Sequence, residues 1–199
     1  MSARLFTALI PSAEVVEALA EFIEPRRGAD PQLRWTSPQS WHITTCFMAS
    51  VASDRLDRLV ENLTETAART PPLSVRLGGA GAFPNPYAAR LLHLTASATP
   101  AGELERLAAG CRRAASRAGV EPDGARFVPH LTLARLRRPA EATRWLRILD
   151  AAPPLAFTAS ELALVESHLN DPQNRYEIVE WFALGGVGGA GYPAPDVDG

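Results

Sequence analysis

Two tripeptides in this chain place an imidazole and a hydroxyl two residues apart in apolar surroundings. They are His42-Ile43-Thr44 within "WHITTCFM" and His130-Leu131-Thr132 within "PHLTLARL". In an extended strand residues i and i+2 share a face, so each histidine projects beside its threonine, about 7 Å apart at the backbone. Ile43 and Leu131 then point into the opposite layer and anchor the strands. Imidazole titrates close to neutrality and can both take and give a proton there. With two such rings around one phosphate, a neutral ring can deprotonate a nucleophile while a protonated ring serves the leaving group. The hydroxyls can donate hydrogen bonds to the non-bridging oxygens. The set suits in-line displacement at phosphorus, provided the two strands converge on one cleft.

A third tripeptide, His93-Leu94-Thr95 in "RLLHLTAS", shows that the pattern alone has little specificity. Trp41 and Pro129 mark the first two, whereas His93 continues a leucine-rich strand. It reads as structural or peripheral, though able to line the same cleft. Rival chemistries find less support. Cys46 and Cys111 lack the spacing of a metal knuckle or redox pair, and each reads as a packing residue. No His-x-x-His or Cys-x-x-Cys occurs, so no metal is expected. No Gly-x-Ser-x-Gly elbow is present, and "GGAGAF" lacks the lysine of a phosphate loop. No cofactor is expected.

These groups must be positioned by a chain of 199 residues, 46% hydrophobic and 21% charged, enough for one sizeable domain or two small lobes sharing a core. The net charge of -2 argues against a broad nucleic-acid-binding surface but allows a local anion site. All 20 basic residues are arginine, so any cationic side chain that meets a phosphate is a guanidinium. No apolar run approaches the roughly 20 residues of a membrane span. The first apolar stretch is too short, and too soon broken by Pro11, for a signal peptide. The expectation is a cytoplasmic protein, monomeric because no coiled-coil pattern or patch argues otherwise.

Periodicity and breakers predict a strand over 4–11, a helix over 13–24 capped by Ser12, and strands at "LRWT" and "WHITTCFM". A helix over 53–69, a strand over 73–77 and a glycine- and proline-rich loop over 78–88 follow. Next come a strand over 90–97, a helix opening at Pro100 and ending near Gly119, and a strand over 126–136. A short helix at 140–149 leads to strands near 155–158, 161–169 and 176–184. Residues 1–185 read as a single domain and 186–199 as a flexible glycine- and proline-rich tail. Interspersed strands and helices without strict alternation predict the α+β class, antiparallel sheets with helices packed outside. Arg135, five residues past His130, falls on the opposite face of a regular strand, where an ion pair or a site role are equal readings. Phe127 reads as a core residue or as a stacking surface for a base.

"RFVPHLTLAR" together with "WHIT" resembles the two-histidine (2H) phosphoesterases, most closely the bacterial and archaeal RNA 2′,3′-cyclic phosphodiesterases. "RLFTALIP", "GAFPNPYAARLLHL" and "LVESHL" followed by Tyr176 are similar to the family's other ordered motifs, so the likeness covers most of the chain. The resemblance implies a bilobal fold, with two antiparallel sheets lining a central cleft and helices outside. It implies metal-independent hydrolysis of RNA or nucleoside 2′,3′-cyclic phosphate to a 2′-phosphomonoester, on RNA 3′ ends or small cyclic nucleotides. His42 would be the general acid, His130 the general base, and Thr44 and Thr132 the phosphate-binding hydroxyls. Arg135 matches the family motif. Two alternatives stay open: 2′–5′ RNA end joining, and a non-catalytic RNA-end or nucleotide-binding module. The chain departs from the pattern at Thr45, where an aliphatic residue is usual. It also departs at His93, where a tryptophan is common, and in the longer stretch 170–175.

Overall fold

The computed structural model describes residues 2–168 and 175–185. Among the described residues there are nine strands: β1 (Ser2–Leu9), β2 (Leu33–Trp35), β3 (Ile43–Ala52), β4 (Leu73–Phe83), β5 (Ala89–Thr99), β6 (His130–Ala140), β7 (Leu155–Ala159), β8 (Glu161–Ser167) and β9 (Tyr176–Ala183). Four helices accompany them: α1 (Ala13–Ile23), α2 (Leu56–Ala68), α3 (Glu103–Arg117) and α4 (Thr143–Leu149). The strands follow the order β7-β4-β5-β6-β3-β1-β8-β9, with β2 also paired to β6. Every pairing among them is antiparallel. The expected two sheets are therefore two halves of one curled sheet. They meet where Ile43 pairs with Leu131, the paired position between β3 and β6.

One face of the sheet carries the core. Leu5, Leu9, Ile43, Met48, Leu92, Leu94, Leu131 and Leu133 point there and are buried. Helices α2 and α3 pack together, α3 covering β3 and α2 covering β9. Helix α1 lies against β7 and α4 against β4. Helix α3 shows why sequence dictates this layer: Leu104, Leu107, Ala108, Cys111, Ala114 and Ala115 recur at helical spacing and are all buried. The opposite, concave face is different. Phe6, Ala8, Ala163 and Val165 form a small apolar cluster there, with Ile10, Phe47 and Tyr176 packed against it. Among the described residues no helix is long and apolar enough to cross a membrane.

Among the element ends that differ from the periodicity, those of β4, β6 and α3 have a clear physical reason. Strand β4 does not stop at Leu77 but runs on to Phe83. Its register against β5 shifts between Leu77 and Ala80, a bulge at Gly78-Gly79. Glycines 78, 79 and 81 carry no side chain, so they hide the alternation that would announce a strand, and Gly79 takes a left-handed φ of 75°. The Asp150 carboxylate accepts the freed Ala80 N–H at 2.6 Å. Strand β6 begins at His130 rather than at Arg126, because Pro129 has no N–H to donate to a ladder. Helix α3 begins at Glu103, after a turn in which the Glu103 N–H donates to Pro100 O at 3.3 Å. Residues 186–199, read from composition as a tail, lie outside the described residues.

Candidate active site

The pairing of Ile43 with Leu131 decides how the two tripeptides meet. They are direct neighbours in one sheet, rather than opposed walls. In that register His42 lies opposite Thr132 and Thr44 opposite His130, on the concave face. The two histidines are diagonal neighbours, a relation that separates residues by about 7–8 Å and their Cβ atoms by somewhat less. All four residues are half-buried, while Ile43 and Leu131 beneath them are fully buried.

Both imidazoles are tethered alike. His42 Nδ1 lies 2.8 Å from Ser40 O and His130 Nδ1 lies 2.7 Å from Val128 O, each carbonyl two residues upstream. A carbonyl oxygen only accepts, so Nδ1 carries the proton and Nε2 of the neutral ring keeps its lone pair. Each ring also rests against two others. His42 stacks on Phe6 at 4.7 Å and meets Tyr176 edge-on at 5.2 Å. His130 meets Phe83 edge-on at 4.9 Å and lies 5.2 Å from His93.

Electrostatics favour neutral rings in the free protein. Burial, followed by the charges of His130 and Arg135, lowers the His42 pKa to about 4 against the opposing pull of the Ser40 carbonyl. Burial and Arg135 also lower that of His130, opposed by the Val128 carbonyl. An anion between the rings would reverse part of this, since it favours the charged form.

Each tripeptide is followed at once by a β-bulge. Thr7 pairs with Cys46 but Ala8 with Thr44, leaving Thr45 as the extra residue. Leu92 pairs with Ala134 but His93 with Thr132, leaving Leu133 extra. In both strands two consecutive residues are then buried: Thr45 and Cys46, Leu133 and Ala134. The alternation is re-phased. Arg135 therefore lies on the concave face with the histidines, not on the opposite face that a regular strand predicts. Its register partner there is Arg34 of β2. Buried Thr45 is satisfied: its hydroxyl bonds that of Thr7 at 2.7 Å and donates to Cys111 Sγ at 3.8 Å. Phe127 packs half-buried against the main core.

His93 is the residue that sequence reasoning leaves at the periphery. Register pairs it with Thr132, and Thr95 with His130, so the third tripeptide shares the concave face. Histidine and threonine thus alternate across β5, β6 and the start of β3.

Comparison with known proteins agrees with this arrangement. Residues 15–171 match the 2′-5′ RNA ligase superfamily. The chain belongs to that family. A relative from Thermus thermophilus named RNA 2′,3′-cyclic phosphodiesterase is 31% identical, the match covering 94% of this chain and 92% of that one. An Aquifex aeolicus protein of the same name is 27% identical over 92% of this chain and 98% of its own. The crystal structure of TT0787 of Thermus thermophilus superposes with a TM-score of 0.75 at 28% identity, covering 92% of this chain and 98% of that one.

Proposed function

We propose that this protein hydrolyses RNA or nucleoside 2′,3′-cyclic phosphates to 2′-phosphomonoesters by paired-histidine general acid and base catalysis, without a metal. The observation that carries the reading is the diagonal placement of His42 and His130, each tethered through Nδ1 so that Nε2 is the atom left to act. The names of relatives over nearly the whole chain support the choice of substrate.

In this reading water attacks phosphorus as Nε2 of His130 removes its proton. The bond from phosphorus to the 3′ oxygen breaks as protonated His42 delivers a proton to that oxygen. The product carries a 2′-phosphate and a free 3′ hydroxyl. The reaction leaves His130 charged and His42 neutral, and solvent restores both. Thr44 and Thr132 donate hydrogen bonds to the non-bridging oxygens, which gain charge in the transition state. Arg135 adds a positive field and a fork for a further anionic group of the substrate. The substrate's own negative charge is what raises His42 from its free-protein value into a range where it can serve as an acid.

The test is turnover of a nucleoside 2′,3′-cyclic phosphate in the presence of EDTA. His42→Ala and His130→Ala are each expected to lower kcat/KM by about 10² or more. Undiminished activity in either variant removes that histidine from the mechanism. A product with phosphate on the 3′ oxygen would reverse the identity of the leaving group.

A further inference from the structure

His93 is 5% exposed, although it stands on the open, concave face of the sheet. Its ring stacks on Phe83 at 4.4 Å with an interplanar angle of 25°, and lies 5.2 Å from the His130 ring. Beneath it is Gly81, its register partner in β4. A Cβ at Gly81 would lie 2.4 Å from His93 Cε1 and 2.5 Å from Nε2, so any larger residue there displaces the ring. Glycine weakens a strand interior and commonly marks a close approach. Here it makes the seat for an imidazole. The buried Nδ1 of His93 has no hydrogen-bond partner among the described residues. An unpaired buried nitrogen is costly, so the ring is held there by its packing.

We infer that His93 is a positioning residue for His130: a wedge between the glycine floor of β4 and the His130 imidazole that fixes the ring of the general base. The inference rests on the proposed role of His130. The tether from Nδ1 to Val128 O still leaves the His130 ring free to rock about that bond, and the contacts with Phe83 and His93 remove this freedom. The other half-site is built alike, with His42 tethered to Ser40 O and held by Phe6 and Tyr176. Burial and the neighbouring His130 keep His93 neutral, its pKa lowered to about 4. The wedge therefore adds no second positive charge when His130 takes up a proton.

The test compares His93→Ala, His93→Phe and Gly81→Ala, the last in both the wild-type and His93→Ala backgrounds. Readouts are kcat and KM on a nucleoside 2′,3′-cyclic phosphate, Tm, and the ring nitrogen signals of His130 in 15N-histidine-labelled protein. His93→Ala is expected to lower kcat about tenfold or more, with KM changed less than about threefold, as misorientation of a reacting group does. His93→Phe restores the ring and should recover most of the loss. Gly81→Ala should lower kcat in the wild type and be nearly silent once His93 is alanine. In the spectra the Nδ1–H tautomer of His130 should persist in every variant, with ring signals sharp in wild type and His93→Phe and exchange-broadened in His93→Ala. Wild-type turnover in His93→Ala, or equal loss from Gly81→Ala in both backgrounds, would overturn the inference. So would a His93→Phe variant as impaired as His93→Ala. If the wild type turns over no cyclic phosphate, the reading of His130 as a base fails, yet the spectra still decide whether His93 fixes its ring. Should His93→Ala not fold, the His93→Phe and single Gly81→Ala comparison decides alone.

Discussion

Ile43 and Leu131 face each other across β3 and β6, both fully buried, at the point where the two halves of the sheet join. This pair sets the register that brings His42 beside Thr132 and Thr44 beside His130. Its side chains belong to the core on the other face, so packing and site geometry are coupled through two residues.

Truncating this joint should cost more activity than its stability loss explains. Ile43→Ala is expected to destabilise the protein by about 2–5 kcal/mol, the range for removing a fully buried aliphatic side chain. Urea denaturation gives the stability, and kcat measured well below the transition gives the second number. An unchanged kcat in the folded variant would uncouple the joint from the site.

Anion binding should be accompanied by proton uptake. His42 is held at about 4 and His130 is shifted below its ordinary value, so in the free protein both rings are biased toward the neutral form. A bound anion raises them, so affinity for inorganic phosphate should tighten as pH falls toward the free-protein values. Calorimetric titration in two buffers of different ionisation enthalpy should return different apparent heats. Identical heats would mean that no proton moves.

Acid should destabilise the fold through the same rings. The folded values of His42 and His93, about 4, lie below the ordinary 6.5, so the unfolded chain binds more protons between those limits. The contribution is complete above pH 6.5 and is lost as pH falls through about 4. Relative to wild type, His93→Phe should lose part of its Tm decline in this window. Parallel Tm curves would assign the decline to carboxylates instead.

Arg135→Ala should weaken substrate binding and shift the histidines together. Its charge lowers both His42 and His130, so its removal raises both. Loss of a charge-assisted contact should raise KM by about tenfold or more. KM should also become less sensitive to salt. Phe127→Leu, in the main core, is expected to leave KM within about twofold.

Thr45→Val should cost stability although it restores the usual aliphatic residue. The change leaves the fully buried Thr7 hydroxyl without its 2.7 Å partner. The expected loss is about 1–3 kcal/mol. A Thr7→Val/Thr45→Val double variant should recover part of it, which a double-mutant cycle would read directly.

How much of this is legible in the sequence follows the physics of strands. The His-x-Thr pairs are visible because period 2 is local, and the core face of α3 because period 3.6 is. Arg135 reads onto the wrong face because a bulge at Leu133 adds a residue that no local pattern marks. Gly78, Gly79 and Gly81 hide the second half of β4, since a strand without side chains shows no alternation. His93 reads as peripheral because its neighbours His130, Phe83 and Gly81 come from two other strands, and only the register brings them together.

The strand order also interleaves the chain. The half containing His42 uses β1 and β3 from the first quarter of the sequence with β8 and β9 from its end. The half containing His130 draws mostly on the segment between them. The helices are exchanged as well: α1 follows β1 but packs on β7, and α3 follows β5 but packs on β3. During synthesis at the ribosome, β1 must therefore wait for more than 150 residues before its outer neighbour β8 emerges. The His130 half is complete once β7 has emerged, whereas the His42 half waits for β8 and for Tyr176 of β9, so a nascent or truncated chain ending before β8 is expected to carry both histidines without a working pair.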